Sequence, residues 1–283
     1  MTHNISAATF IRDNIKGAFC LFESMASLLP LVSDMHIIDM GSTDGTLEIL
    51  KKLTGNPKII LHESRFSKVD AGAFADAANE CVKSWFQGVG IFWQADEIWH
   101  PNVIKMLDTK LSNGVVKQAF WRYQLRDNFQ KMKWFPHPVY RLGLKNSFNF
   151  TGDGMNADGV FGVDVCSDYN MGWFTKWGEM PELSIPVEQM VMDVSMVGGF
   201  RDNIPDRRNL HAPMWHESNH IEGKEPGQWH RDALANPDWQ KETTPFDIPP
   251  IMRWHVGRVK YDIRPELIEA LLSNNTDRLV YGG

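Results

Sequence analysis

Two apolar runs, each ending in a carboxylate, constrain the fold of this chain more than any other feature. The first is Ile37-Ile38-Asp39, followed by the turn Met40-Gly41-Ser42-Thr43-Asp44-Gly45. The second is Phe92-Trp93-Gln94-Ala95-Asp96-Glu97. Short apolar runs bounded by turn residues suit strands buried on both faces, as in a parallel sheet. Asp39 and Asp96 then arrive at the C-terminal edge of that sheet, where open α/β sheets bind their ligands.

The surrounding sequence supplies the rest of such a sheet. Strands are expected at residues 5–11, 35–39, 58–62 and 90–94. Ala18, Phe19, Leu21, Phe22, Met25, Leu28 and Leu29 fall on one face of a helix over 16–29, which Pro30 ends. Ser42, Thr43 or Asp44 offers an N-cap to a helix over 46–53. Further helices are expected over 70–86 and, opened by Pro101, over 101–111. Strand and helix alternating in this way imply right-handed crossovers and a parallel sheet. The first half, residues 1–115, is therefore a Rossmann-like nucleotide-binding unit. It lacks GxGxxG after its first strand, so no dinucleotide cofactor is expected.

Beyond residue 115 the pattern changes. Segments 117–124 and 131–135 can pair around Arg126-Asp127-Asn128, with a further strand at 139–142. Residues 151–162 are Gly- and Asp-rich and are expected as loop, and 171–255 is a Trp-, Pro- and His-rich stretch of weak periodicity, also expected to be largely loops. Residues 116–283 are taken as the other half of the same domain, facing an acceptor.

Composition removes several function classes. The chain has 283 residues, 43% of them hydrophobic and 23% charged, which is globular rather than disordered. A net charge of −6 argues against nucleic acid as the main partner, although Arg201, Arg207 and Arg208 leave room for a local basic groove. Cys20, Cys81 and Cys166 are odd in number and match no zinc or CxxC spacing, so reduced thiols are expected. There is no basic-then-apolar start and no run near the ~18–20 apolar residues of a membrane span, so a cytoplasmic protein is expected. Eleven Trp residues, eight of them beyond residue 115, are mainly core filling, with a few available to stack on sugar rings.

The motifs together resemble family 2 glycosyltransferases, which have the GT-A fold. The resemblance lies in Phe10-Ile11-Arg12-Asp13-Asn14, in Ile38-Asp39 with Gly41-Ser42-Thr43-Asp44-Gly45-Thr46, in Asp70-Ala71-Gly72 through Asn79, and in Gln94-Ala95-Asp96-Glu97. It covers roughly residues 5–111. It implies an α/β fold with a mostly parallel central sheet, helices on both faces and a mixed C-terminal region. It also implies an enzyme that moves one sugar from a nucleoside-diphosphate sugar to a hydroxyl of a glycan or other acceptor, with inversion.

The same resemblance implies site roles. Asp39 would accept a hydrogen bond from the base's imide N–H, with Ile11, Arg12, Asn14 and Asp44 beside the nucleoside. Asp96 would hold Mn²⁺ or Mg²⁺ against the diphosphate. Two positions depart from the pattern: Gln94 replaces the first acid of the metal motif, and Ala78 stands where Arg is frequent. Arg65 or Lys68 is a substitute phosphate partner. Glu179 is the first candidate for general base, then Asp153, with Glu182 and Glu188 behind them. A His from the C-terminal part, His211, His216 or His220, is a candidate further metal ligand.

Two rival readings come from the same residues. His216-Glu217-Ser218-Asn219-His220 matches H-E-x-x-H, the zinc-hydrolase pattern. Ser218 and Asn219 are poor helix formers, however, and Pro213 and Gly223 bracket the motif tightly. The other rival is a nucleotide-sugar or carbohydrate-binding module without catalysis, suggested by Gln94 and by Met180 at a position where the family carries an acid.

Overall fold

A computed structural model describes residues 4–63, 73, 76–81, 89–99, 250–255 and 261–281, together with the backbone of short stretches between residues 118 and 243. Four parallel strands form its first half: β1 (Ser6–Ile11), β2 (Asp34–Asp39), β3 (Ile59–Glu63) and β4 (Val89–Phe92). They lie in the order β3-β2-β1-β4, so β1 is flanked on both sides. Ala7, Ala8, Ile37, Ile38 and Ile91 are buried, as strands covered on both faces require. All four observed strands overlap those expected, with ends shifted by two residues or fewer.

The helix expected over 16–29 is instead two pieces, α1 (Asn14–Gly17) and α2 (Leu21–Leu28). Ala18 adopts a left-handed conformation (φ 52), while the Phe19 N–H bonds to the Asn14 carbonyl and the Ala18 N–H to that of Ile15. This pair of bonds closes a helix C-terminus. Of the apolar residues read from the sequence, Leu21, Phe22, Met25 and Leu28 lie on α2, while Ala18 and Phe19 lie at the break that precedes it. Every residue of α2 is buried, including Leu21, Phe22, Met25 and Leu28. Burying an aliphatic or aromatic side chain of this size contributes about 1.5–3 kcal/mol.

Helix α3 (Thr46–Leu53) starts where expected, but its N-cap is Gly45 (φ 94) and no side chain caps it there. Asp44 acts one residue earlier, its Oδ1 accepting the Thr46 N–H at 3.0 Å. Residues 73 and 76–81 are helical, within the helix expected over 70–86. The helix expected over 101–111 lies outside the described residues.

Strands from beyond residue 115 extend the same sheet. β5 (Glu97–Trp99) follows β4; β6 (Gln118–Asp127), β7 (Lys131–Met132) and β8 (His137–Leu144) come next in sequence. β6 and β7 pair antiparallel through Leu125 and Met132, the hairpin the sequence suggests. β8 joins that hairpin to the parallel half by pairing antiparallel with both β4 and β6.

Residues 151–162 are not wholly loop, because β9 (Phe150–Thr151) and β10 (Asn156–Ala157) form a two-stranded ribbon. Nor is 171–255 only loop: β11 (Met190–Val197) lies parallel to β6 and antiparallel to β5, and β12 (Glu242–Thr243) edges β7. A 3-10 helix (Pro250–His255), α4 (Pro265–Leu272) and α5 (Asp277–Tyr281) close the chain, with α4 packed on α2 and α3. No helix among the described residues is long and apolar enough to cross a membrane.

Candidate functional site

Strand register brings the sequence-marked residues to one rim. Ile11, the last residue of β1, stands opposite Asp39, the last of β2. On the other side of β1, Ala8 pairs with Phe92, and the Trp93 N–H bonds to the Ala8 carbonyl. The segment carrying Gln94 and Asp96 therefore leaves β4 at the same C-terminal edge. The two acids follow strands that flank β1, which sets those strands about 10 Å apart at ~4.8 Å per strand.

Asp39 is 1% exposed. Its Oδ1 accepts the N–H of Gly41 at 2.9 Å and of Ser42 at 2.8 Å. Gly41 has φ 87, a conformation that residues with a Cβ rarely adopt, and this turn brings both N–H groups onto one oxygen. Oδ2 is buried and has no hydrogen-bond partner among the described residues. Asn14 is also buried, and its Oδ1 has none either. A buried acceptor without a donor costs free energy, so two of them at one rim require an explanation.

Asp13 is the residue that laces the rim together, a role the sequence reading did not assign. Its N–H donates to Ser42 Oγ (2.9 Å), and its Oδ1 accepts the Thr43 N–H (2.7 Å) and Oγ1–H (3.3 Å). It sits in a left-handed conformation (φ 47), which Asp tolerates better than most residues because its short side chain bonds locally. A short acid two residues beyond an apolar strand end is the signal that could have found it.

Asp44 reinforces the lacing: its Oδ2 accepts the Lys16 N–H at 2.7 Å while its Oδ1 holds Thr46. Thr46 Oγ1 accepts the Ile15 N–H at 3.2 Å. The loops after β1 and β2 thus form one hydrogen-bonded wall. Arg12 Nε lies 3.6 Å from Asp13 Oδ2, an ion-pair distance too long for a hydrogen bond.

Near β4, Glu97 is fully buried, and its Oε2 accepts the Gln94 N–H at 3.1 Å. Asp96 is half-buried and stands at the turn between β4 and β5. Of the tryptophans, Trp93 and Trp99 are core residues, whereas Trp254 is 38% exposed and has the Arg264 guanidinium 5.7 Å from its ring. Arg65, Lys68, Asp153, Glu179, Glu182, Glu188, His211, His216, Glu217 and His220 all lie outside the described residues.

No protein-family model matches the chain, and no curated protein matches it. Solved structures give distant likenesses. S. aureus TarS 1–349 in complex with UDP-GlcNAc is 16% identical at TM-score 0.34, over 44% of this chain and 35% of that one. The same protein in complex with UDP aligns over 98% of this chain and 83% of that one, at 12% identity and TM-score 0.39. M. tuberculosis glucosyl-3-phosphoglycerate synthase with Mn²⁺, UDP and glucosyl-3-phosphoglycerate is 22% identical at TM-score 0.31, over 44% of each chain. The chain thus spans about a third of the first of these and under half of the third. Likenesses this distant add nothing to the site described above.

Proposed function

We propose that the chain is a glycosyltransferase of the GT-A type, moving one sugar from a nucleoside-diphosphate sugar to an acceptor hydroxyl. The observation that carries this reading is the pair of buried acceptor oxygens, Asp39 Oδ2 and Asn14 Oδ1, at the strand-end rim. A carboxylate only accepts hydrogen bonds, so it selects a base bearing a ring N–H on its pairing edge, the imide of uracil or thymine or the lactam of guanine. With Oδ1 already held by two backbone N–H groups, Asp39 offers Oδ2 in a fixed direction. Asp96, beyond the other neighbour of β1, is the residue proposed to face the diphosphate. Ile11, Arg12 and Asp44 line or brace the nucleoside side, and Arg65 is the proposed phosphate cation.

Asp96, with His216, is proposed to hold Mn²⁺ or Mg²⁺. The fit rests on chemistry: hard cations take oxygen ligands and are held by one or two carboxylates plus phosphate oxygens. Bound there, the cation supplies charge to offset that on the departing diphosphate. Gln94 gives no carboxylate and the Glu97 carboxylate is buried, accepting the Gln94 N–H.

In the transfer, the acceptor oxygen bonds to the anomeric carbon as the bond from that carbon to the diphosphate oxygen breaks. The electron pair leaves with the nucleoside diphosphate. The acceptor proton passes to a general base, for which Glu179 and then Asp153 are proposed. A single displacement of this kind inverts the anomeric carbon. Glycan and other hydroxyl-bearing acceptors fit this chemistry, and a cytoplasmic location accords with the thiols of Cys20 and Cys81.

The weak acid complement near β4 favours one alternative, a binding module that holds the donor without transferring it. A thermal-shift screen of nucleotide-sugars with and without Mn²⁺, followed by an assay for nucleoside diphosphate release, tests both. A true donor stabilises the fold by RT ln(1 + [L]/Kd), about 2.7 kcal/mol at a hundredfold excess over Kd. Transfer requires release by wild type and its loss in Asp96→Ala. Binding without release supports the module, and stabilisation by no nucleotide-sugar overturns both.

A further inference from the structure

A second cluster is built on α2 and its N-cap. Glu23 is fully buried inside a helix whose other residues are also buried. Its Oε1 is 2.8 Å from His255 Nε2, and its Oε2 accepts the Tyr261 hydroxyl at 3.1 Å. The His255 and Tyr261 rings stack with centroids 5.4 Å apart. Cys20, buried at the N-cap of α2, completes the group, and donor atoms of Cys20, Glu23 and His255 all lie within 4.8 Å of one another. Cys20 holds a left-handed backbone conformation (φ 54), one that persists only where the surroundings fix it.

We propose that Cys20, Glu23 and His255 form a structural zinc site that fastens the C-terminal segment to α2. Thiolate, imidazole and carboxylate are all zinc ligands, and sulfur in the set selects a softer ion than Mn²⁺ or Mg²⁺. Zinc–ligand bonds of about 2.0–2.3 Å hold tetrahedral donors roughly 3.3–3.6 Å apart, so Glu23 Oε1 and His255 Nε2 must part slightly from 2.8 Å to admit the ion, with Cys20 Sγ within 4.8 Å of both. Charge balances within the cluster, because the two positive charges of Zn²⁺ meet one carboxylate and one thiolate. The ion binds with release of the Cys20 thiol proton, and the His255 ring keeps its proton on Nδ1 while Nε2 ligates. Glu23 Oε1 faces the ion, while Oε2 keeps the Tyr261 hydrogen bond that orients the carboxylate.

The site ties residues 20 and 23 to residue 255, holding the 3-10 helix and α4 on the parallel half of the sheet. It is independent of the sugar-transfer reading. The test uses the full chain purified from zinc-supplemented cells and dialysed, with metal content measured for wild type, Cys20→Ser, His255→Gln and Asp96→Ala. One zinc per chain is expected in wild type and in Asp96→Ala, with retained zinc falling at least about tenfold in the other two. Replacement by Co²⁺ should give a thiolate-to-cobalt absorption band in wild type that Cys20→Ser lacks. Folded wild type that retains no zinc, and whose melting is indifferent to chelator, overturns the proposal and leaves a metal-free hydrogen-bonded clasp. Equal zinc in wild type and Cys20→Ser overturns it as well.

Discussion

Replacing Asp39 by Asn separates nucleotide recognition from fold stability. The amide keeps Oδ1, and with it the bonds from the Gly41 and Ser42 N–H groups at 2.9 and 2.8 Å. Only Oδ2, the buried oxygen without a partner among the described residues, becomes an NH₂ group. The free protein loses no internal hydrogen bond and no longer buries that carboxylate charge, so its melting temperature should not fall. The bound state loses a charge-assisted hydrogen bond from the base's imide N–H, worth about 1.5–3 kcal/mol. At about 1.4 kcal/mol per tenfold, affinity should drop roughly 10- to 150-fold. Titration calorimetry with UDP, dTDP, GDP and CDP reads this directly. The tightest of the first three for wild type should weaken by that factor. CDP, whose base offers an acceptor where uracil has its N–H, should bind the variant better than it binds wild type. Unchanged affinity, or a variant that loses affinity only because it unfolds, would refute the assignment of Oδ2 to the base.

Other perturbations probe the remaining structure. Glu23→Ala removes the acceptor shared by His255 and Tyr261 and should cost about 3–5 kcal/mol in urea unfolding, as expected when one member of a buried pair is deleted. Asp13→Ala forfeits the bonds to Thr43, about 1–3 kcal/mol, and adds about 1 kcal/mol for Ala in a left-handed conformation. It should also weaken nucleotide binding, because the rim loops separate. Burial lowers the pKa of His36 below 6.5, with neighbouring His62 adding to the effect and Asp34 opposing it. In the window between the folded pKa and 6.5 the unfolded chain binds the extra proton. Stability is therefore full above about pH 6.5 and declines as pH falls towards the folded value. Urea midpoints measured against pH should show that decline in wild type, and His36→Gln should flatten it.

The parallel half of the fold was legible because its strands carry short apolar runs bounded by turn residues, with β1 and β2 largely buried and only the edge strand β3 mostly half-exposed. Asp39 was legible for the same reason, as a charge ending such a run. The division of the helix after β1 was not, since the apolar spacing of Ala18, Phe19, Leu21, Phe22 and Met25 runs through the break without interruption. Only left-handed Ala18 and Cys20 make the break, and neither is a residue type that announces that conformation. Strand β11 was missed because Met190-Val191-Met192 is short and stands among Pro, Trp and Gly residues, and its pairing with β5 and β6 is set by tertiary position. Glu23 was overlooked because a lone acid on an apolar helix face looks solvent-exposed until partners some 230 residues away are placed against it. Asp13 and Asp44 show a related limit: sequence marks a polar rim but does not say which acids brace the loops and which remain open to a ligand.

A crystal structure of the chain with its tightest nucleotide-sugar and Mn²⁺ tests the central claim most directly. The base should lie beyond β1 and β2 with its imide N–H within about 3.2 Å of Asp39 Oδ2, and the diphosphate should sit against Asp96. A nucleotide bound elsewhere, or a base turned so that Oδ2 still lacks a donor, would contradict the account.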